Sequence, residues 1–210
     1  MGSNPITSAR FRDLPYLTMS DNKEIEIQVR IENNVNLFLF LHKEAKFIGE
    51  QHQIDRYFTP AHKNFIQVRP VNEWLRLRDS SGKFSINYKN WHNEIDGKRD
   101  YCDEYETPIE SLEQMEKIFG VLDMKEVVTV DKVRKLYVYQ QYEIAIDSVN
   151  GLGDFVEIEY KGEIKKQTPT QITSGMVAFL KKIGCGKIAR NSGGYPFQLL
   201  FPNEVVFDDQ

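Results

Sequence analysis

The 210-residue chain lacks the features that mark several protein classes. Its longest wholly apolar stretches span a handful of residues, such as Leu37 to Leu41, which excludes a membrane-spanning helix. Two cysteines, Cys102 and Cys185, supply neither a disulfide framework nor a zinc-ligand cluster and read as bystanders. The four histidines, His42, His52, His62 and His92, have no metal-ligand spacing and read as surface or loop residues. No secretory signal, internal repeat or low-complexity segment is visible, so the cytoplasm is the expected compartment. Charge of one sign is missing too. The 27 Lys plus Arg and 31 Asp plus Glu leave a net charge of −4, which gives no surplus for holding nucleic acid. Disorder is excluded by what is present, 40% hydrophobic and 12% aromatic residues.

Residues 1–22 differ from the rest, with turn formers and no period. Gly2-Ser3-Asn4-Pro5 can be read from the T-arm sequence of a transfer-RNA gene, so the expectation is a non-native start with translation from Met19, or else a tail without function. Residues 23–207 read as a single domain. Period-two alternation predicts strands at about 23–32, 51–58, 73–79, 83–90, 101–107, 126–131, 134–140, 142–148 and 155–161. Helices are expected at 34–46, from a Thr107 cap through Pro108 to Gly120, and at about 170–183. Gly151-Leu152-Gly153 reads as a hairpin turn that needs positive φ, and Gly193 to Pro202 as a turn followed by an apolar plug. The fold class is α+β.

The polar faces of the strands are unusual. The first strand puts Glu24, Glu26, Gln28 and Arg30 opposite Ile25, Ile27, Val29 and Ile31. Others carry Arg76 and Arg78, then Lys89, then Glu104 and Glu106, then Lys132 and Arg134, then Asp147, and last Glu157 and Glu159. Glu is depleted in strands, yet Glu-x-Glu occurs on three of them. Residues two apart share a face at about 7 Å, so each such pair repels unless a cation lies beside it. Solvated faces of an open sheet are one reading. The other is a closed antiparallel β-barrel of about eight strands, with a charged tunnel inside and helices packed outside. In that tunnel the acids suit Mg2+ or Mn2+, and the bases suit an oxygen-rich anion such as a chain of phosphates.

These segments resemble the CYTH superfamily, the triphosphate tunnel metalloenzymes, in its class IV adenylate cyclase-like branch. Glu24-Ile25-Glu26-Ile27-Gln28 is similar to its Glu-x-Glu-x-Lys signature, with Gln28 where the family has Lys. Ile54 to Phe58, Trp74 to Arg78, Tyr88-Lys89, Glu104-Tyr105-Glu106 and Lys132 to Tyr137 follow in family order. Ile146 to Glu159, through Gly151-Leu152-Gly153-Asp154-Phe155, is similar to the family's closing hairpin. The resemblance implies metal-side carboxylates at Glu24, Glu26, Glu157 and Glu159, assisted by Asp147. It implies a triphosphate gripped by Arg56, Arg76, Arg78, Lys89, Lys132 and Arg134, with Lys132 and Arg134 as the catalytic pair. Glu104 and Glu106 would orient the bases, and Arg30, in phase with Gln28, is a substitute for the missing Lys.

The implied activity is conversion of ATP to cyclic AMP and pyrophosphate. Triphosphate hydrolysis in the same tunnel is the alternative, and a non-catalytic nucleotide or polyphosphate binder is the rival that Gln28 supports. A barrel for single-stranded nucleic acid is disfavoured by the three Glu-x-Glu pairs. The expected partner is a small-molecule triphosphate, without nucleic acid or membrane, and a homodimer is left open.

Overall fold

Alternating side chains commit most of the chain to antiparallel strands, and a computed structural model describes residues 23–93, 99–163, 167–191 and 193–209. The tail expected at residues 1–22 lies outside the described residues. The elements run β1 (Lys23–Glu24), β2 (Glu26–Ile31), α1 (Asn34–Glu44), β3 (Lys46–Pro60), β4 (Glu73–Ser80), β5 (Lys83–Asn93) and β6 (Arg99–Ile109). After these come α2 (Leu112–Val121), β7 (Met124–Tyr139), β8 (Tyr142–Val149), β9 (Gly153–Tyr160), α3 (Pro169–Lys182), β10 (Ile188–Asn191), α4 (Gly194–Leu200) and β11 (Phe207–Asp209). All eleven strands join one antiparallel sheet in the order β1-β6-β5-β4-β3-β7-β8-β9-β2-β10-β11. No helix among the described residues is long and apolar enough to cross a membrane.

The sheet curls, because β1 and β2 are separated by Ile25 alone yet pair with β6 and β9 respectively. A closed barrel of hydrogen-bonded strands, as expected from the sequence, is not what the pairing gives: the end strands β1 and β11 have no pairing with each other. The cause is β10. It takes the edge of β2 at Gln28–Ile31 and leaves Lys23 and Glu24 alone to meet β6.

The apolar faces of β2, β8 and β9 point outward and are covered by helices. Ile27, Val29, Ile144, Ile146, Val156 and Ile158 pack with Leu37 and Leu41 of α1 and with Ile172, Met176 and Leu180 of α3. The Thr168 side chain accepts from Gln171 N, and Gln171 answers the cap, which fixes where α3 begins. Fully buried aliphatic side chains of this kind each contribute about 1.5–3 kcal/mol. Ile158→Ala is therefore expected to cost about 2–5 kcal/mol, read as a lower denaturant midpoint with an unchanged slope.

Three expectations about elements change. The capping box at Thr107 is not used: Thr107 and Pro108 pair with Ile86 and Ser85, and α2 starts after Ser111, whose hydroxyl accepts from Gln114 N at 3.2 Å. Pro108 falls near the end of β6, beyond Cys102 and Asp103 where β1 pairs, so only β5 flanks it. The strands expected at 126–131 and 134–140 are one strand, β7, paired along the whole of β3. The terminal plug contains a helix, α4, between the unforeseen strands β10 and β11. The hairpin turn is as expected, with φ of +79° at Gly151 and +92° at Gly153.

Candidate active site

The inward faces of the curled sheet enclose a cavity of about 240 Å³. Of its twenty lining residues, seven are Glu and six are Lys or Arg. Strand phase alone does this: Glu24, Glu26 and Gln28 from the first strand meet Glu157 and Glu159 of β9, with Glu26 opposite Glu159 and Gln28 opposite Glu157. Arg76 and Arg78 of β4, Lys89 of β5, Glu104 and Glu106 of β6 and Lys132 and Arg134 of β7 complete the ring.

The charges are sorted within it. On the acidic side, Lys89 Nζ donates to Glu24, reaches Glu26 at 3.5 Å and stands 3.7 Å from Glu104. Asn87 donates to Glu104, Ser85 Oγ to Glu106 at 2.7 Å, and Lys161 to Glu159. Burial, then the Glu24 charge, pushes Glu26 well above the ordinary carboxylate range and Glu159 up to about 7. Burial would also raise Glu24, but Lys89 outweighs it and holds that group at about 2. Lys89 and Lys161 therefore leave Glu26 and Glu159 with raised pKa values.

On the basic side, two buried aspartates organise the cations. Arg78 makes a two-pronged pair with Asp55, Nε to Oδ1 at 2.5 Å and Nη2 to Oδ2 at 2.7 Å. Arg134 does the same to Asp147, at 2.7 and 2.6 Å, and also reaches Glu157 at 2.8 Å. Lys132 lies between, 3.9 Å from Asp55 and 3.7 Å from Asp147. Its burial, together with Arg134, draws its pKa down to about 8. The Tyr195 hydroxyl donates to Asp147 at 2.8 Å. Tyr195→Phe leaves that carboxylate one donor short, and an expected loss of about 1–3 kcal/mol is measurable by denaturant unfolding.

Three sequence expectations need correction on position. Arg56 stands outside the cavity, because inward phase on β3 belongs to Asp55 and Tyr57; it pairs instead with Glu116 of α2 and, at 2.6 Å, with Glu126. Arg30 cannot stand in for a lysine at position 28, since it lies between the Phe155 and Phe207 rings and donates to the Leu152 carbonyl at 2.8 Å. Asp147 is turned to Arg134, Lys132 and Tyr195 rather than to the Glu cluster. Gln28 does line the cavity, where Gln198 Nε2 reaches its Oε1 at 3.5 Å. His52 and His92 pair outside the cavity lining with Asp131 and Asp103, at 2.6 and 2.8 Å.

Other lining residues were not singled out from sequence: Tyr57, Trp74, Asn87, Glu143, Lys161 and Tyr195. Lys161 had a signal, since it continues the phase of Glu157 and Glu159. Tyr195 had none, because a turn-and-plug segment has no period.

The donor chemistry fits a hard divalent cation. Glu24, Glu26, Glu157 and Glu159 offer only oxygen, Glu26 and Glu159 are raised by burial and by the Glu24 charge, and the sheet register holds them together. In the arrangement seen, no three Asp, Glu, His or Cys side chains among the described residues converge as a metal-holding group; Lys89, Lys161 and Arg134 stand among the carboxylates.

The sequence profile of the CYTH domain matches residues 22–185. The chain belongs to the CYTH domain family. A Methanocaldococcus jannaschii protein named "Putative adenylate cyclase" is 34% identical over 165 residues, 78% of this CYTH chain and 91% of the relative. Among solved structures, the PH1819 protein of Pyrococcus horikoshii is 25% identical with a TM-score of 0.68, covering 86% of this chain and 99% of that one. A Hippeastrum protein, described as a "Putative adenylyl cyclase" that reveals a dominant triphosphatase activity, has a TM-score of 0.60 at 17% identity, over 87% of this chain and 97% of that one. This last likeness establishes the fold in common.

Proposed function

We propose that this CYTH protein is a metal-dependent enzyme acting on a small-molecule triphosphate, with the curled sheet serving as a tunnel open to it. The observation that carries the reading is one cavity that gathers carboxylates of β1, β2, β6 and β9 with cations of β4, β5 and β7. Arg76, Arg78, Lys132 and Arg134 bind and orient the phosphate chain, and Lys89, held among Glu24, Glu26 and Glu104, adds a further positive charge to the cavity wall. Glu24, Glu26, Glu157 and Glu159 would hold Mg2+ or Mn2+, which when bound supplies Lewis-acid stabilisation of phosphate oxygens. Buried walls limit the number of competing waters and raise the worth of each fixed charge.

Hydrolysis is the reaction the cavity supports best. Water attack on a terminal phosphorus breaks its bond to the bridging oxygen, which leaves on the remaining phosphates as the water gives up a proton, and it asks only for the phosphate chain to be held with water in line. Cyclisation also needs a ribose placed in line with the α-phosphorus. Among the described residues, the aromatic rings that line the cavity, Tyr57, Trp74 and Tyr195, are buried in the core rather than presented as a platform for a base. Cyclisation, the leading expectation from sequence, remains the second reading because the 34% identical relative carries a cyclase name.

The purified protein with Mn2+ and ATP divides the two. Orthophosphate and ADP are expected; cyclic AMP with pyrophosphate would establish the cyclase instead. Tight triphosphate binding with no product, restored to turnover by Gln28→Lys, would favour the non-catalytic binder. No salt-sensitive binding of single-stranded oligonucleotides is expected.

A further inference from the structure

Asp55 lies in the middle of β3, fully buried, with β4 on one side and β7 on the other. It draws cations from both neighbours. Arg78 spends its Nε and Nη2 on the two carboxylate oxygens at 2.5 and 2.7 Å; Arg76 Nη1 stands 3.7 Å away and Lys132 Nζ 3.9 Å. Arg76 Nε is buried without a hydrogen-bond partner among the described residues, and of the groups that attract its charge, Asp55 acts most strongly, ahead of Tyr57, Glu104 and Glu106. Without that charge, three cations would crowd one wall of a cavity of about 240 Å³ and repel one another into separate rotamers.

We propose that Asp55 is a positioning residue of the phosphate site, which fixes Arg76, Arg78 and Lys132 in a single arrangement matched to an oxyanion without touching the substrate itself. The inference rests on the triphosphate reading above. Its physical basis is preorganisation: donors held in place before binding lose less freedom when the anion arrives.

The test turns on a sign. Asp55→Asn removes a negative charge beside the cavity, which by itself tightens binding of an anion. It also releases Arg78 from its fork, which weakens binding. A background charge would show the first effect, and a positioning residue shows the second.

Calorimetric titration with tripolyphosphate, without divalent cation so that nothing turns over, is expected to show affinity about tenfold weaker in Asp55→Asn. In an Arg78→Gln background the same substitution should change affinity less than threefold, because its effect passes largely through Arg78. Thermal melting reports whether each variant is folded. Should Asp55→Asn not fold, Arg78→Lys, which keeps the charge and loses the fork, is expected to weaken binding by a similar factor. Unchanged or tighter binding by folded Asp55→Asn overturns the proposal, as does wild-type affinity in Arg78→Lys. Wild-type protein that binds no tripolyphosphate, neither alone nor with Mg2+, overturns the triphosphate reading itself, and the inference with it.

Discussion

Replacing Glu26 with Ala is expected to lower cation-dependent turnover of tripolyphosphate by at least about 100-fold while the protein stays folded. Glu26 is a buried carboxylate beside Glu24, with Glu157 and Glu104 adding further negative charge. Its ionised form is disfavoured in the folded protein, so its removal relieves repulsion and takes away no stabilising partner except a 3.5 Å contact from Lys89. The thermal midpoint should therefore hold or rise. A carboxyl whose charge the fold disfavours, placed beside other carboxylates, is explained by a cation that arrives with the substrate and makes its ionisation favourable. Glu159→Ala should behave alike, since its pKa is raised to about 7 by burial and by the same Glu24 charge. Phosphate release and a melting curve on both variants check this, and wild-type rates in the two would remove the metal assignment.

Arg134→Met is expected to do the reverse, with a large loss of stability as well as of turnover. Arg134 is the shared partner of Asp147 and Glu157, and its loss leaves two carboxylates in the interior without their main counter-charge. Breaking a buried pair in this way costs about 3–5 kcal/mol, on the order of 10 °C in midpoint for a chain of this size. The penalty should depend on pH. Burial alone would raise Glu157, but Arg134, followed by Lys132 and Lys89, depresses it far below the ordinary carboxylate value of 4.5. A depressed folded pKa contributes stability above the unfolded value and loses it as pH falls through the folded one. The gap between wild type and Arg134→Met should therefore be widest near neutral pH and narrow in acid. A gap that widens in acid would contradict the pairing.

Sequence phase made most of the site legible. Every charged position on the polar faces of β1, β2, β4, β5, β6, β7 and β9 that was singled out, apart from Arg30, lines the cavity, because period two leaves only one face for them. Arg56 failed for the same reason in reverse. On β3 the in-phase residues are Gln53, Asp55 and Tyr57, so the carboxylate faces in and the arginine faces out. The family resemblance suggested a phosphate ligand where phase forbade one.

Other misses have different causes. Thr107-Pro108-Ile109-Glu110 carries a local capping signal, yet strand pairing with β5 adds ladder bonds that a cap cannot match, and Ser111 supplies the real cap. The break expected within β7 came from Asp131-Lys132, charges that are costly in an ordinary strand but here face His52 on one side and buried aspartates on the other. Tyr195 and α4 reach the cavity through a chain reversal after β10, and no local pattern reports where such a segment lands. The closed barrel was expected from eight strands, and β10 altered the pairing by taking the edge of β2.

The central claim, that the sorted charges form a cation-assisted triphosphate site, is tested most directly by following tripolyphosphate with phosphorus NMR in the presence of the purified protein. Orthophosphate and pyrophosphate signals should grow when Mg2+ or Mn2+ is present and stop on chelation. Tripolyphosphate that stays intact and unshifted with either cation would contradict the account.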